Sequence, residues 1–407
     1  MDTALIRLED FDISPDTGFL GSQPHFHLTG EWKAWEDLLE DAMERKLVLG
    51  ENAACSEPTL VESARWRARV CEAPLLSATA LENSAPVLRR AHHVLSFVLH
   101  FYVHTLPPET AIYIPPSLAV PLAHVSNVLD LPPVITYSDL VLYNWTTDST
   151  GDIRFPSVFS GKADEQAFYR ASAIIELRGV EALDLIRQIS DNILIGAAAA
   201  AAQITKPLAD MTILINDFKK VLLDLRKDCD PEVYYQQVRP WLRGEDSLPR
   251  KWTFQGLAGD AGEAFKELSG PSAGQSTLIH ALDIFLGVNN HRANGTPSLF
   301  GRMQRYMPRE HRRFLACLSS APRSLRDFVK ESNDRELTEA YNSAVSALKA
   351  FRDTHLIIAT LYIVVPANRV RKRASKEVEY VGTGGTGLVP FLKGVRDRTK
   401  DTVLPTE

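Results

Sequence analysis

Apolar side chains recur every three or four positions through most of this chain, the spacing that gathers them on one face of an α-helix. Trp32, Trp35, Leu38, Leu39 and Met43 follow it from Glu31 onward, and further helices are predicted near Thr59–Ala73 and from about Ala85 to His104. A long helix is predicted after Phe155–Glu176. It continues through Gly196 and the run Ala197–Ala202, breaks at Pro207 and resumes over Met211–Lys227. The clearest pattern is the last one, Glu336 to Val365. Asn333 with Glu336 three residues on reads as its start and Pro366 as its stop. Between them Leu337, Tyr341, Val345, Leu348, Phe351, His355, Ile358 and Tyr362 share one face. Residues 1–30 read as an irregular lead-in. Residues 114–145 carry prolines at 115, 116, 121, 132 and 133, which predict short pieces walling a site in place of a bundle helix. The polar stretch Thr146–Asp152 reads as a linker, which places a domain boundary between 1–150 and 151–407. The class implied is all-α.

Composition narrows the picture. A chain of 407 residues, 45% hydrophobic, buries a large core, and its length suggests two domains. The net charge of −6 gives no basic field for nucleic acid. Residues 1–10 are acidic and lack the basic and apolar blocks of a signal peptide. The longest apolar run, Leu356–Val365, is too short to span a bilayer. Cys55, Cys71, Cys229 and Cys317 lie far apart, without the paired spacing of a zinc or dithiol site. These features lead to the expectation of a soluble cytoplasmic protein without nucleic-acid or membrane partners.

Candidate chemistry begins with His355, an imidazole inside an apolar stripe with Arg352 and Asp353 beside it. It reads either as a core histidine satisfied by backbone carbonyls or as an axial ligand to haem iron, with Arg352 pairing a propionate. Periodicity does not choose between these. His92, His93, His100 and His104 share a helix that contains no Asp or Glu, so core or solvated histidines are expected there in preference to zinc. His311 sits among charged residues and is expected to be exposed. The basic run Arg369–Lys376 reads as a solvated loop. Gly382–Gly387 fits Gly-x-Gly-x-x-Gly, but twenty following residues leave no room for a dinucleotide-binding unit, and no Lys-Ser/Thr pair makes a phosphate loop. Ser-Ala-Gly-Gln-Ser at 272–276 is not a nucleophile elbow.

The stretch Phe351-Arg-Asp-Thr-His355, continued by Leu-Ile-Ile-Ala-Thr-Leu-Tyr-Ile-Val-Val-Pro-Ala367, resembles the proximal-histidine helix of the indoleamine 2,3-dioxygenase family. The resemblance extends from about Ala91 to Thr399. It implies His355 as the one protein ligand to the iron of haem b, with Arg352 close by. Tyr137, Leu140 and Val141 fall where the family lines its distal haem pocket. Phe168 and Ser172, four apart on one helical face, correspond to residues on the ligand side. Pro231–Gly244 matches the substrate-holding segment, with the aromatic pair Tyr234 and Tyr235 and with Arg239 to clamp a carboxylate. Gly270–Gly287 matches the distal loop at Ser272 and Ala273. Gly382-Thr-Gly-Gly-Thr matches a lid over the substrate, with the Thr383 hydroxyl near the amino group.

The fold implied is a small N-terminal domain capping a larger helical domain, with haem between them. The activity implied is insertion of both atoms of O₂ across the indole C2–C3 bond of L-tryptophan, giving N-formylkynurenine, in a monomer served by an external reductant. Three positions depart from the family pattern: Tyr234 stands where Phe is expected, Pro271 where Gly is usual, and Leu140 is bulkier than its counterpart. These leave room for a weak or modified-indole dioxygenase. Rival readings are an O₂-binding haem protein without turnover and a cofactor-free helical interaction module.

Overall fold

The computed structural model describes residues 7–21, 27–52, 56–195, 200–257, 265, 267–288, 299–374 and 388–405. Fourteen helices occupy most of these: α1 (Lys33–Glu44), α2 (Glu57–Glu72), α3 (Ala85–His104), α4 (Pro116–Leu129), α5 (Ala163–Ile195), α6 (Ala200–Asp228) and the single turn α7 (Pro231–Val233). They continue as α8 (Thr277–Leu286), α9 (Leu299–Gln304), α10 (Arg309–Ser319), α11 (Leu325–Ser332), α12 (Arg335–Ala359), α13 (Val365–Ala374) and α14 (Leu388–Lys400). Among the described residues strands are confined to two small pairs. β1 (Ile112–Ile114) runs parallel to β4 (Trp252–Phe254) in the register Ile112↔Trp252, and β2 (Thr146–Thr147) is antiparallel to β3 (Ile153–Arg154). The stretch expected to be a linker is therefore a short hairpin. Its turn is closed by Asp148, which accepts from Thr150 N and Asp152 N.

The core forms around α12, which packs along α6 and against α14, while α5 also packs on α6. Leu337, Tyr341, Val345, Leu348 and Phe351 of the expected stripe are all buried. One continuous apolar cluster runs from Ile13 to Leu404, through both sides of position 150. By length and hydropathy alone the continuous helical stretch Arg335–Val370 would also pass for a membrane span, although much of its surface is taken up by this packing.

Several elements differ from expectation. The start of α12 is Asp334, whose carboxylate accepts from Leu337 N; Asn333 instead ends α11 in a left-handed conformation with φ 51°. Pro366 does not stop the helix. A π-helical turn at Thr360–Val364 widens the coil just before the proline, and the chain continues helically to Ala374. The basic run from Arg369 thus begins on a helix. Pro207 also lies inside a helix, where burial of Ile204, Leu208 and Met211 on either side outweighs one lost hydrogen bond. Pro116 opens α4 and Pro121 sits within it, so this proline-rich stretch contains a 14-residue helix after all.

His311 is fully buried, its ring 4.8 Å from that of Phe19, and burial pushes its pKa down to about 3. The charged neighbours misled: Arg309, Arg312 and Arg313 line the outer face of α10, while His311, Phe314, Leu315 and Leu318 line the inner one. The four histidines of α3 are buried too, and each has a defined partner. His92 Nδ1 donates to Asp139 (2.9 Å) and His93 Nδ1 to the Asp139 carbonyl (2.9 Å). His100 Nδ1 donates to the Trp241 carbonyl (2.7 Å) and His104 Nε2 to that of Arg243 (3.0 Å).

Candidate active site

A cavity opens beside α12 at His355. Phe351, Arg352, Ile358 and Ala359 of α12 and Tyr362 of the π-helical turn share that wall. Leu222 and Leu225 of α6 and Leu388, Phe391, Leu392 and Val395 of α14 add apolar surface. The remaining walls come from segments earlier in the chain. Tyr137 precedes a second π-helical turn, Ser138–Leu142, which contributes Leu140 and Val141. The face of α5 contributes Phe168, Ser172, Ile175 and Glu176, and the loop before α8 contributes Pro271, Ser272, Ala273, Gly274 and Ser276.

His355 is half-buried, and among the described residues neither ring nitrogen makes a hydrogen bond. The reading as a core histidine satisfied by carbonyls therefore fails. Burial, reinforced by the positive charge of Arg352, pushes its pKa down to about 4, so the imidazole is neutral and a ring nitrogen keeps its lone pair for a metal. Arg352 is buried and pairs with Asp283, while it also donates to Thr399 Oγ1. An unpartnered neutral imidazole in an apolar cavity is the donor set a haem iron takes, so these residues fit the cofactor. The loop opposite in sequence suits close approach to a flat ring: Ser272 caps the turn Ala273–Gln275 by accepting from Gly274 N, which keeps small side chains at the wall.

Tyr234 begins a third π-helical turn, Tyr234–Val238, and its ring lies 4.4 Å from Phe168 and 5.7 Å from Tyr362. Its hydroxyl makes no hydrogen bond among the described residues. Arg239 is buried with its guanidinium 5.6 Å from the centre of the Tyr235 ring, and neither Arg239 nor Tyr235 is part of the cavity wall. Thr383, with the whole Gly382–Thr386 segment, lies outside the described residues.

Sequence reading missed Glu176. Tyr137 Oη (3.0 Å) and Ser276 Oγ (2.7 Å) both donate to its Oε1, while Oε2 has no partner among the described residues. Burial raises its pKa to about 7 against those two hydrogen bonds. Its position four residues after Ser172 and eight after Phe168 was the available signal. The apolar face of α14 was also overlooked.

Comparison with known proteins places these observations. A family model described as indoleamine 2,3-dioxygenase matches residues 7–402. The indoleamine 2,3-dioxygenase of Saccharomyces cerevisiae is 31% identical, covering 97% of this chain and 93% of its own length. The 6-hydroxytryptophan 2,3-dioxygenase of Fusarium equiseti is 31% identical with 98% of each chain covered, and the myoglobin of Haliotis madaka is 31% identical over 97% of this chain and 98% of its own. With a match across nearly its whole length and a cavity walled by the residues that the resemblance pointed to on α12, α5 and the loop before α8, this chain belongs to the indoleamine 2,3-dioxygenase family.

Proposed function

We propose that the protein is a haem-dependent dioxygenase of L-tryptophan or a closely related indole, with the His355 imidazole in the cavity wall, free of hydrogen bonds among the described residues, as the observation that carries the reading. Haem b, when bound, supplies the redox centre at which O₂ meets the indole. Haem would sit against His355, with Tyr137, Leu140 and Val141 from before position 150 and the α5 and α8 segments from after it lining the same cavity.

The chain's own residues bind and orient. His355 holds the iron, and the rings of Phe168 and Tyr234 fix the indole plane. Ser172, Ser272 and Ala273 bound the ligand side with small groups. By the resemblance, Arg239 takes the substrate carboxylate and Thr383 meets the amino group. Both oxygen atoms enter the product as the C2–C3 bond breaks, so turnover needs no net electrons. An external reductant is needed only to keep the iron ferrous. No side-chain base is required, and Glu176, the one carboxylate in the described cavity wall, is already held by Tyr137 and Ser276.

The test is a ferrous absorption spectrum with and without tryptophan, followed by product analysis. A substrate-perturbed Soret band with N-formylkynurenine formed supports the reading. A second reading, reversible O₂ binding without turnover, is favoured by the relative named myoglobin; it predicts a stable oxygenated spectrum and no product from tryptophan or 6-hydroxytryptophan.

A further inference from the structure

Glu176 is a carboxyl group in a place that disfavours its ionised form. It is 1% exposed and lines the cavity from α5. Both donors within reach, Tyr137 Oη and Ser276 Oγ, serve Oε1, and Oε2 has none among the described residues. Among the described residues no cation pairs with it. The titratable groups on elements packed around α5 are engaged elsewhere: Asp139 with His92, His280 with the Gly274 carbonyl, Asp283 with Arg352, Asp217 with Lys220, Arg154 with Asp148 and Asp327 with Ser324. Arg352, His355 and Tyr234 share the cavity wall without a hydrogen bond to it.

A porphyrin presents alkyl groups and carbon–hydrogen edges around most of its rim, so it offers an ionised carboxylate no donor and shuts out the water that would. Desolvating an unpaired charge is far more costly than desolvating a neutral acid. We propose that filling this cavity with haem locks Glu176 in its protonated form, so that cofactor uptake carries a proton with it and retention weakens as pH rises. The proposal rests on the haem reading above. The pKa already raised to about 7 puts the effect in the physiological range. The cavity's other titrating groups stay silent there: burial pushes the His355 pKa down to about 4 and holds the Tyr137 and Tyr234 phenols above their usual range.

The experiment is titration of the full-length apoprotein with hemin between pH 6 and 9. The Soret band reports affinity, and calorimetry in buffers of different ionisation enthalpy counts protons. Above pH 7 the wild-type protein is expected to take up about one proton per hemin, and its affinity to fall by up to about tenfold per pH unit. Glu176→Gln keeps an oxygen for Tyr137 and Ser276 but does not titrate, so its affinity is expected to be flat with pH and its proton uptake absent. Tyr137→Phe removes one donor to the carboxylate and should move the wild-type midpoint upward. Hemin binding with no proton uptake by the wild-type chain, a measurement that needs no variant, overturns the inference and leaves the haem reading standing. The same slope in wild type and Glu176→Gln also overturns it. Failure to develop a Soret band at any pH removes the haem reading and this inference together.

Discussion

At the scale of single residues the cavity presents two side chains, His355 and Tyr234, that make no hydrogen bond among the described residues. His355 has no hydrogen bond to lose among the described residues, so His355→Ala should leave the apoprotein's melting temperature nearly unchanged while abolishing stable haem incorporation. A normal Soret band at full occupancy in that variant would remove His355 as the ligand. Tyr234 brings a phenol to the wall, with no hydrogen bond to it among the described residues. Covering it with an unsubstituted indole leaves that hydroxyl unpaired, at a cost of roughly 1–3 kcal/mol. Tyr234→Phe is therefore expected to lower the KM for tryptophan with no change in thermal stability, and a KM that rises instead would mean the hydroxyl bonds the substrate. Arg239→Ala should weaken tryptophan binding by about 2–5 kcal/mol while haem content stays intact, read from KM and the Soret absorbance. An unchanged KM would make Arg239 structural, a role its burial beside Tyr235 also fits.

At the scale of elements the site is held by close crossings that small residues permit. Gly270 and Gly244 lie where the distal loop passes the segment carrying Arg239: a Cβ on Gly270 would sit 2.0 Å from the Leu242 carbonyl, and one on Gly244 2.3 Å from that of Leu268. Backbone cannot yield as a side-chain tip can, so Gly270→Ala is expected to cost on the order of 3 kcal/mol and lower the denaturation midpoint. It should also reduce haem occupancy, because Ser272 and Ala273 move with the loop. The helices themselves were legible from apolar spacing: α3 begins and ends where that spacing put it, and the stripe on α12 is buried as expected. The π-helical turns were not. Ser138–Leu142, Tyr234–Val238 and Thr360–Val364 each add a residue to a turn that sequence periodicity counts as regular, and each lies at the cavity. Proline misled for a related reason, since its local cost at Pro207 and Pro366 is outweighed by packing that a one-dimensional pattern does not contain.

At the scale of the whole molecule the distribution of buried imidazoles sets how stability responds to acid. His100 and His280 have pKa values pushed down to about 4 by burial, His311 to about 3, and His104 well below its usual value. A histidine whose folded pKa is depressed contributes stability that is present above pH 6.5 and lost as pH falls toward the folded value. Each such group removes roughly 1.4 kcal/mol per pH unit across that interval, because the unfolded chain binds the proton and the native one does not. His92 runs the other way: burial would lower its pKa, but the Asp139 carboxylate beside it raises it, so its contribution is present in acid and lost as pH rises through its folded value. Glu176, raised to about 7, opposes the trend with His92, as do the upward shifts of Glu165, Asp191 and Asp246, against five depressed histidines once His355 is counted. Because the large shifts are mostly those of the histidines, the urea midpoint is expected to fall from pH 6.5 to 4.5, with net proton uptake on unfolding. His311→Leu tests the origin of the slope. The imidazole is fully buried against Phe19, and an apolar side chain of similar size fills the same space without a proton site. The variant should lose about one proton's worth of slope and gain stability at pH 5 relative to pH 7. A slope identical to wild type would mean that His311 is already protonated in the folded state and would remove it from the acid response.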